Sequence, residues 1–281
     1  MRATFFGQYL LSKGVIDGDA LVDAINRQRE LNLGLTTLAV QHGYIDKEQE
    51  KEILARYRTT DAELEDLCLE SGLLNRAQLD ELTRIRFSDW MRIGGALVAG
   101  GHLTREEVKE HLETFQEIQR QADRQIETDF SACNEPETAK TVVTLAVSHL
   151  GRITGEPVKI RSLENQPHDL AAGWRRYVQR LVGDRELHVV LDLSLEVESA
   201  VGLGLVGIPL EYSSEEAIDA VCEFVNIIGG NACTRLEGYG FRLRPEPPYS
   251  TVGNGPTDDC GPCVCAEVMV GDNELNFQVL L

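Results

Sequence analysis

The sequence predicts an α+β protein in which an all-helical N-terminal repeat domain is followed by an α/β sandwich with a mostly antiparallel sheet. Two observations carry this. Four glycines, Gly14, Gly43, Gly72 and Gly101, recur every 29 residues in the first part of the chain, which marks a repeat architecture. That period is gone from Thr138 onward, where strand-like segments with a two-residue alternation take over. A chain of 281 residues suits two domains. The expected division is a four-unit repeat domain over 1–117, a linker helix and boundary over 118–137, and a sheet domain over 138–281.

Each glycine follows an apolar pair (Leu10-Leu11, Ala39-Val40, Cys68-Leu69, Leu97-Val98) and precedes two mostly apolar residues. A residue able to cap a helix comes next: Asp17, Asp46, Asn75 or Thr104. The expected unit is therefore a short helix closed by glycine in a left-handed conformation, then a longer helix. Capping boxes are expected in the second and fourth units, where Gln49 and Glu107 stand three residues after Asp46 and Thr104. Apolar stripes such as Leu21, Ile25 and Val108, Leu112, Phe115 are too narrow to stabilise a lone helix, so the units must stack. An array of this kind is by default a structural or protein-interaction module.

From Glu117 to Asp129 the chain turns polar, with a break near Ser131–Pro136. Strands are expected over Val158–Arg161, Trp174–Leu181 and Leu187–Leu193, along Val264–Val270 and over Leu275–Leu281, with a buried helix at Thr141–Gly151. A second helix is expected from about Ser214 to Ala232, opened by a capping box of Ser213 and Glu216. Its stripe Ile218, Val221, Val225, Ile228, Ala232 would pack on the sheet. Asp219, Glu223 and Asn226 then share another, exposed face. By spacing alone such a face is ordinarily just solvated.

Lys plus Arg number 27 against 46 Asp plus Glu, a net charge of −19, which disfavours phosphate backbones and anionic lipid surfaces. The longest apolar stretches, Thr141–Leu150 and Val201–Leu210, fall short of the roughly 18–20 residues that span a bilayer. With no secretory signal at the N-terminus, a cytoplasmic location and free thiols are expected. Cys260, Cys263 and Cys265 form a cluster without the helix N-terminus that a redox CxxC requires. A zinc site would need a fourth ligand from Cys222, Cys233 or a histidine, so a thiol-rich turn and no metal site are expected. Neither a phosphate-binding P-loop nor a serine nucleophile elbow is present.

Phe6-Gly7, Leu10-Leu11, Gly14-Val15-Ile16, Leu21, Ile25 and Gln28 resemble the cyclic di-GMP-binding repeat of the MshEN domain. The resemblance implies that apolar residues, backbone groups, an arginine just before the Leu-Gly pair and a closing glutamine hold the dinucleotide. The candidates here are Arg92 and Gln28. The arginine position is otherwise Phe5, Gly34 and Glu63, the glutamine becomes Tyr57, Arg86 and Phe115, and Thr36 and Glu65 replace a glycine. Glu63 and Glu65 would face an anion, and no two consecutive units keep both polar contacts. The expectation is that the repeats keep the fold and have mostly lost the donors a cyclic di-GMP ligand needs.

Asp219-x3-Glu223-x2-Asn226, continuing as Ile227-Ile228-Gly229-Gly230-Asn231-Ala232 and later Pro247-Pro248, resembles the signature of the CheC/CheX/FliY phosphatases. Residues from about Thr138 to Leu281 look like a CheX domain, with Pro248 one residue nearer the asparagine than is usual in the family. The first helix carries Ser148 without the matching Glu or Asn, so a single site is expected, as in CheX. The resemblance implies a chemotaxis or two-component phosphatase that hydrolyses the aspartyl phosphate of a CheY-like response regulator. Catalytic Asn226 would orient water, catalytic Glu223 would engage the receiver's lysine, and Asp219 would support them. Mg2+ would come with the receiver, a homodimer is expected, and the repeats would regulate or recruit. The alternative is a non-catalytic adaptor that binds a receiver or cyclic di-GMP.

Overall fold

The computed structural model describes residues 5–32, 34–89, 92–253 and 262–281. The chain forms two compact units, Met1–Tyr57 with Ala62–Ala122 and Arg58–Asp61 with Asp123–Leu281. Among the described residues no helix is long and apolar enough to cross a membrane.

In the first unit short and long helices alternate: α1 (Phe6–Ser12), α2 (Gly18–Leu31), α3 (Leu35–Gln41), α4 (Lys47–Thr59), α5 (Leu64–Glu70), α6 (Arg76–Asp89), α7 (Ile93–Ala99) and α8 (Arg105–Ser131), which runs on into the second unit. The four repeat glycines have φ of 67°, 70°, 68° and 74°, where a β-carbon costs about 1–2 kcal/mol. Each donates its N–H to the carbonyl three residues back, at 3.0 Å, and so closes its short helix. The Asp46–Gln49 and Thr104–Glu107 boxes form as the sequence predicts. Asn75 and Gln78 form a third, with contacts of 2.9 and 3.0 Å, because their amides reproduce the same donor and acceptor roles.

The repeats pair outer with outer and inner with inner. Phe6, Leu10 and Ala24 of the first repeat share a core with Leu97, Leu103 and Phe115 of the fourth. The Phe115 ring centroid lies 5.4 Å from those of both Phe6 and Tyr9. A β-carbon on Gly7 would meet Leu21 Cδ1 at 2.6 Å and Ile93 at 3.8 Å; one on Gly94 would meet Val108 Cγ1 at 2.7 Å and Phe6 at 3.5 Å. These are matching positions three periods apart, and at each the glycine lies close against the long helix of its own repeat and faces a residue of the other. The inner repeats share a second core, with Leu35, Leu38 and Ile53 against Leu67, Leu79 and Leu82. There the glycine positions hold Thr36 and Glu65, and Glu65 is paired with Arg86 at 3.0 Å.

The second unit is built on a seven-stranded sheet of order β1-β6-β7-β3-β2-β4, with β5 also on β2. The strands are β1 (Val158–Glu164), β2 (Arg175–Gly183), β3 (Glu186–Leu193), β4 (Leu243–Pro245), β5 (Tyr249–Thr251), β6 (Cys263–Val270) and β7 (Asn273–Leu280), paired antiparallel throughout. Helices α9 (Pro136–Thr154), α10 (Leu195–Val206) and α11 (Glu215–Glu237) share one core with one sheet face, lined by Tyr177, Leu181, Val189, Leu191, Val264 and Phe277. On the other face Arg176 and Asp192, both fully buried, pair at 2.6 and 2.7 Å, and Gln278 donates to the same carboxylate at 2.9 Å. Removing one partner of such a pair typically costs about 3–5 kcal/mol, because the other charge stays buried.

Three local expectations change. The cap of α11 is Ser214, whose hydroxyl accepts from Ala217 N at 3.1 Å, and not Ser213. Ser213 instead has φ of 56° and donates its N–H to Glu198 Oε1 at 3.2 Å. Buried Glu198 also accepts from the Tyr177 hydroxyl at 2.7 Å, which ties the start of α11 to β2. The helix runs past Ala232 to Glu237 because Leu236 continues the buried stripe. The sequence pattern did not resolve α10, β4 or β5 as elements.

Replacing Phe115 with Ala should cost about 3–5 kcal/mol. Amide exchange should then quicken in α1 and α2 as well as α7 and α8 while α3 to α6 keep their protection; an effect confined to α8 would contradict the outer pairing.

Candidate functional site

The site is the outer face of α11. Val221, Phe224, Val225 and Ile228 are buried against the sheet, and that anchoring leaves Asp219, Glu223 and Asn226 exposed together at spacings of four and three. The structure thus brings the three signature residues onto one face. Glu223 has no hydrogen-bond or ion-pair partner among the described residues. Neighbouring Cys222 is half-buried; burial, aided by the charge of Asp219, pushes its thiol up and makes it a poor nucleophile.

Asn226 is held from below. Gln179 on β2 is fully buried, and its Nε2 donates to Asn226 Oδ1 at 3.0 Å and to the Glu246 carbonyl at 2.9 Å. A backbone carbonyl can only accept, so this end of Gln179 is the NH2 group. The Asn226 atom facing it must therefore be the acceptor Oδ1. Asn226 Nδ2 is left on the outward side. Among the described residues Gln179 Oε1 has no hydrogen-bond partner, and it packs on Gly229, where a β-carbon would lie 1.9 Å from it. An unsatisfied buried oxygen of this kind costs about 1–3 kcal/mol.

The Glu246 carbonyl is available because the strand partner of β2 is interrupted there. Leu181 pairs with Pro245, and Val178 pairs with Tyr249. Between them Glu246, Pro247 and Pro248 oppose only Gln179 and Arg180, a one-residue bulge at two residues that have no N–H for the ladder. The Glu246 side chain is also tied to Arg180, at 3.0 Å.

Gln179 was missed from sequence. Its signal is a polar residue in the inward register Tyr177, Gln179, Leu181, where alternation calls for an apolar one. Asn231, two residues after Gly229 in the signature, is half-buried and turns toward α9 instead. Its Nδ2 stands 2.9 Å from the Ile227 carbonyl and 3.4 Å from His149 Nε2. His149 is fully buried, and its Nδ1 lies 3.0 Å from the Leu145 carbonyl, which fixes the proton on Nδ1. Burial holds the imidazole below its ordinary pKa of 6.5; Arg152 and Arg235 act in the same direction, against Leu145 and Asp61.

Of the other candidates, Gln28 is half-buried in α2 and Arg92 is exposed at the cap of α7. Both belong to the outer repeats. Cys263 and Cys265 are buried on the sheet face opposite the helices; burial first, then Asp192 and Cys263, pushes the Cys265 thiol up. Cys260, Gly261 and the preceding Asp258 and Asp259 lie outside the described residues. Among the described residues no three His, Cys, Asp or Glu side chains are grouped to hold a metal ion.

Residues 177–259 match the family model described as chemotaxis phosphatase CheX. The second unit is CheX-like over that span, which runs from the foot of Gln179's strand through all of α11 and the proline bulge. No curated protein matches the chain. Among solved structures, a chemotaxis protein CheX from Desulfovibrio desulfuricans is 21% identical, with 52% of this chain and 99% of that one covered and a TM-score of 0.46. The CheX-CheY-BeF3-Mg+2 complex of Borrelia burgdorferi aligns at 18% identity over 50% and 95%, TM-score 0.43. FliY of Thermotoga maritima aligns at 18% over 52% and 91%, TM-score 0.40.

The lowered His149 pKa gives a signed pH dependence. The unfolded chain binds the proton more readily, so the contribution is complete above the unfolded value of about 6.5 and is lost as pH falls through it toward the folded value. Urea midpoints should therefore fall more between about pH 7.5 and 5.5 for the wild type than for His149→Gln; equal slopes would contradict a buried neutral His149.

Proposed function

We propose that the C-terminal unit is a phosphatase for the aspartyl phosphate of a CheY-like response regulator, with the N-terminal repeats serving as an interaction or regulatory module. The observation that carries this is an outward-facing amide at Asn226, backed by a buried hydrogen bond, beside the unpartnered Glu223 carboxylate on the same helix face. The CheX match over the same residues supports it.

An aspartyl phosphate is an activated acyl phosphate. Water attacks phosphorus, the bond from phosphorus to the aspartate oxygen breaks, and the carboxylate departs with the electron pair. A carboxylate of pKa about 4 needs no general acid to leave, so the absence of a histidine from the signature is no obstacle. What the reaction needs is an aligned water and neutralised phosphoryl oxygens. Asn226 aligns the water through its Nδ2 hydrogens and the remaining lone pair of Oδ1, without a covalent intermediate. Glu223, one turn earlier, binds the receiver's lysine and fixes the docking geometry. Asp219 supports that contact from the next turn. Mg2+ would be held by the receiver, not by this chain, and would neutralise the phosphoryl group there.

The test is loss of phosphate from a panel of phosphorylated receivers with Mg2+ present. Asn226→Ala should lower kcat by about 10²-fold or more with little change in KM, while Glu223→Ala should raise KM as well. Tight receiver binding with no acceleration by the wild type would favour the adaptor reading, and a wild-type rate retained in Asn226→Ala would remove the assignment of the site.

A further inference from the structure

We infer that Gln179, a buried residue outside the acidic-amide signature, is the positioning residue that sets which end of the Asn226 amide meets the substrate water. The inference rests on the phosphatase reading of α11 for its catalytic consequence, although the orientation itself does not.

Position 179 lies in the inward register of β2, between Tyr177 and Leu181, both of which are fully buried in the core of the unit. An apolar side chain would satisfy that register, at the expense of the inward donor to the Glu246 carbonyl and to Asn226 Oδ1. Gln179 instead leaves Oε1 without a partner while committing both Nε2 hydrogens, one to the Glu246 carbonyl and one to Asn226 Oδ1. The amide thus gives up one buried oxygen for two directed hydrogen bonds, and one of those sets the orientation of Asn226. The chain of constraints is directional: the carbonyl accepts, so Gln179 donates, so Asn226 accepts inward and presents its Nδ2 hydrogens outward.

Two further features serve the same geometry. Gly229, one turn after Asn226 on α11, provides the space that the Gln179 head group fills, since a β-carbon would stand 1.9 Å from Oε1 and 2.8 Å from Cδ. The bulge at Glu246-Pro247-Pro248 turns a carbonyl that would otherwise sit in the ladder toward Gln179. The glycine and the proline of the signature thereby both act on Asn226 through one residue that the signature does not contain. An exposed asparagine without such backing would turn freely and present either end of its amide.

The test combines a measurement without substrate and one with it, using the full chain. Side-chain 15N relaxation of Asn226 should show an ordered carboxamide in the wild type and a mobile one in Gln179→Met, which keeps the side chain's length and removes its donors. On a phosphorylated receiver, kcat should fall about ten-fold or more in Gln179→Met with KM unchanged. Gly229→Ala, which displaces the Gln179 head group from the opposite side, should reproduce the loss of order. A mobile Asn226 amide in the wild type overturns the inference without any variant, as does equal order in wild type and Gln179→Met, or lost order with kcat intact. If the wild type acts on no receiver, the phosphatase reading fails, and the relaxation data alone still decide whether Gln179 positions Asn226.

Discussion

The close approach of α11 to β2 at Gly229 is the constraint on which the site depends. With no side chain there, the helix seats on the sheet with the Gln179 amide beneath it, and that amide spans from Asn226 to the Glu246 carbonyl. Around this contact the other features fall into place. Glu198 ties the first turn of α11 to Tyr177 on the same strand, and the buried Val221, Phe224 and Ile228 fix the helix's rotation. Rotation decides which side chains face solvent, so the same packing that excludes water from the core displays Asp219, Glu223 and Asn226.

The legible parts of the sequence were those governed by local physics. A glycine in a left-handed turn, a reciprocal cap and a stripe at helical spacing depend on residues within a few positions of one another; all four repeats have the glycine turn and three form the reciprocal cap. The outer face of α11 was legible for the same reason. The capping serine of α11 was displaced by one residue because a distant group, Glu198, captures the Ser213 N–H. Gln179 was illegible because its partners stand 47 and 67 residues away, and β4 and β5 are too short to show a period.

The pairing of the repeats could not be read from their order. Consecutive units suggest consecutive partners, yet the first packs with the fourth and the second with the third. The departures at Thr36 and Glu65 fall in the inner pair, where Glu65 is neutralised by Arg86. Gln28 and Arg92 both fall in the outer pair, which also keeps Gly7 and Gly94. The separation of Gln28 and Arg92 in the chain is therefore no measure of their separation in the fold.

The most direct measurement of the central claim is the structure of the full chain bound to a receiver loaded with Mg2+ and beryllofluoride, a mimic of the phosphorylated aspartate. The expected complex places the Asn226 amide against the beryllofluoride, with room for one in-line water, and the Glu223 carboxylate on the receiver's lysine. A receiver docked away from α11, or one docked there with Asn226 turned from the beryllofluoride, would contradict it.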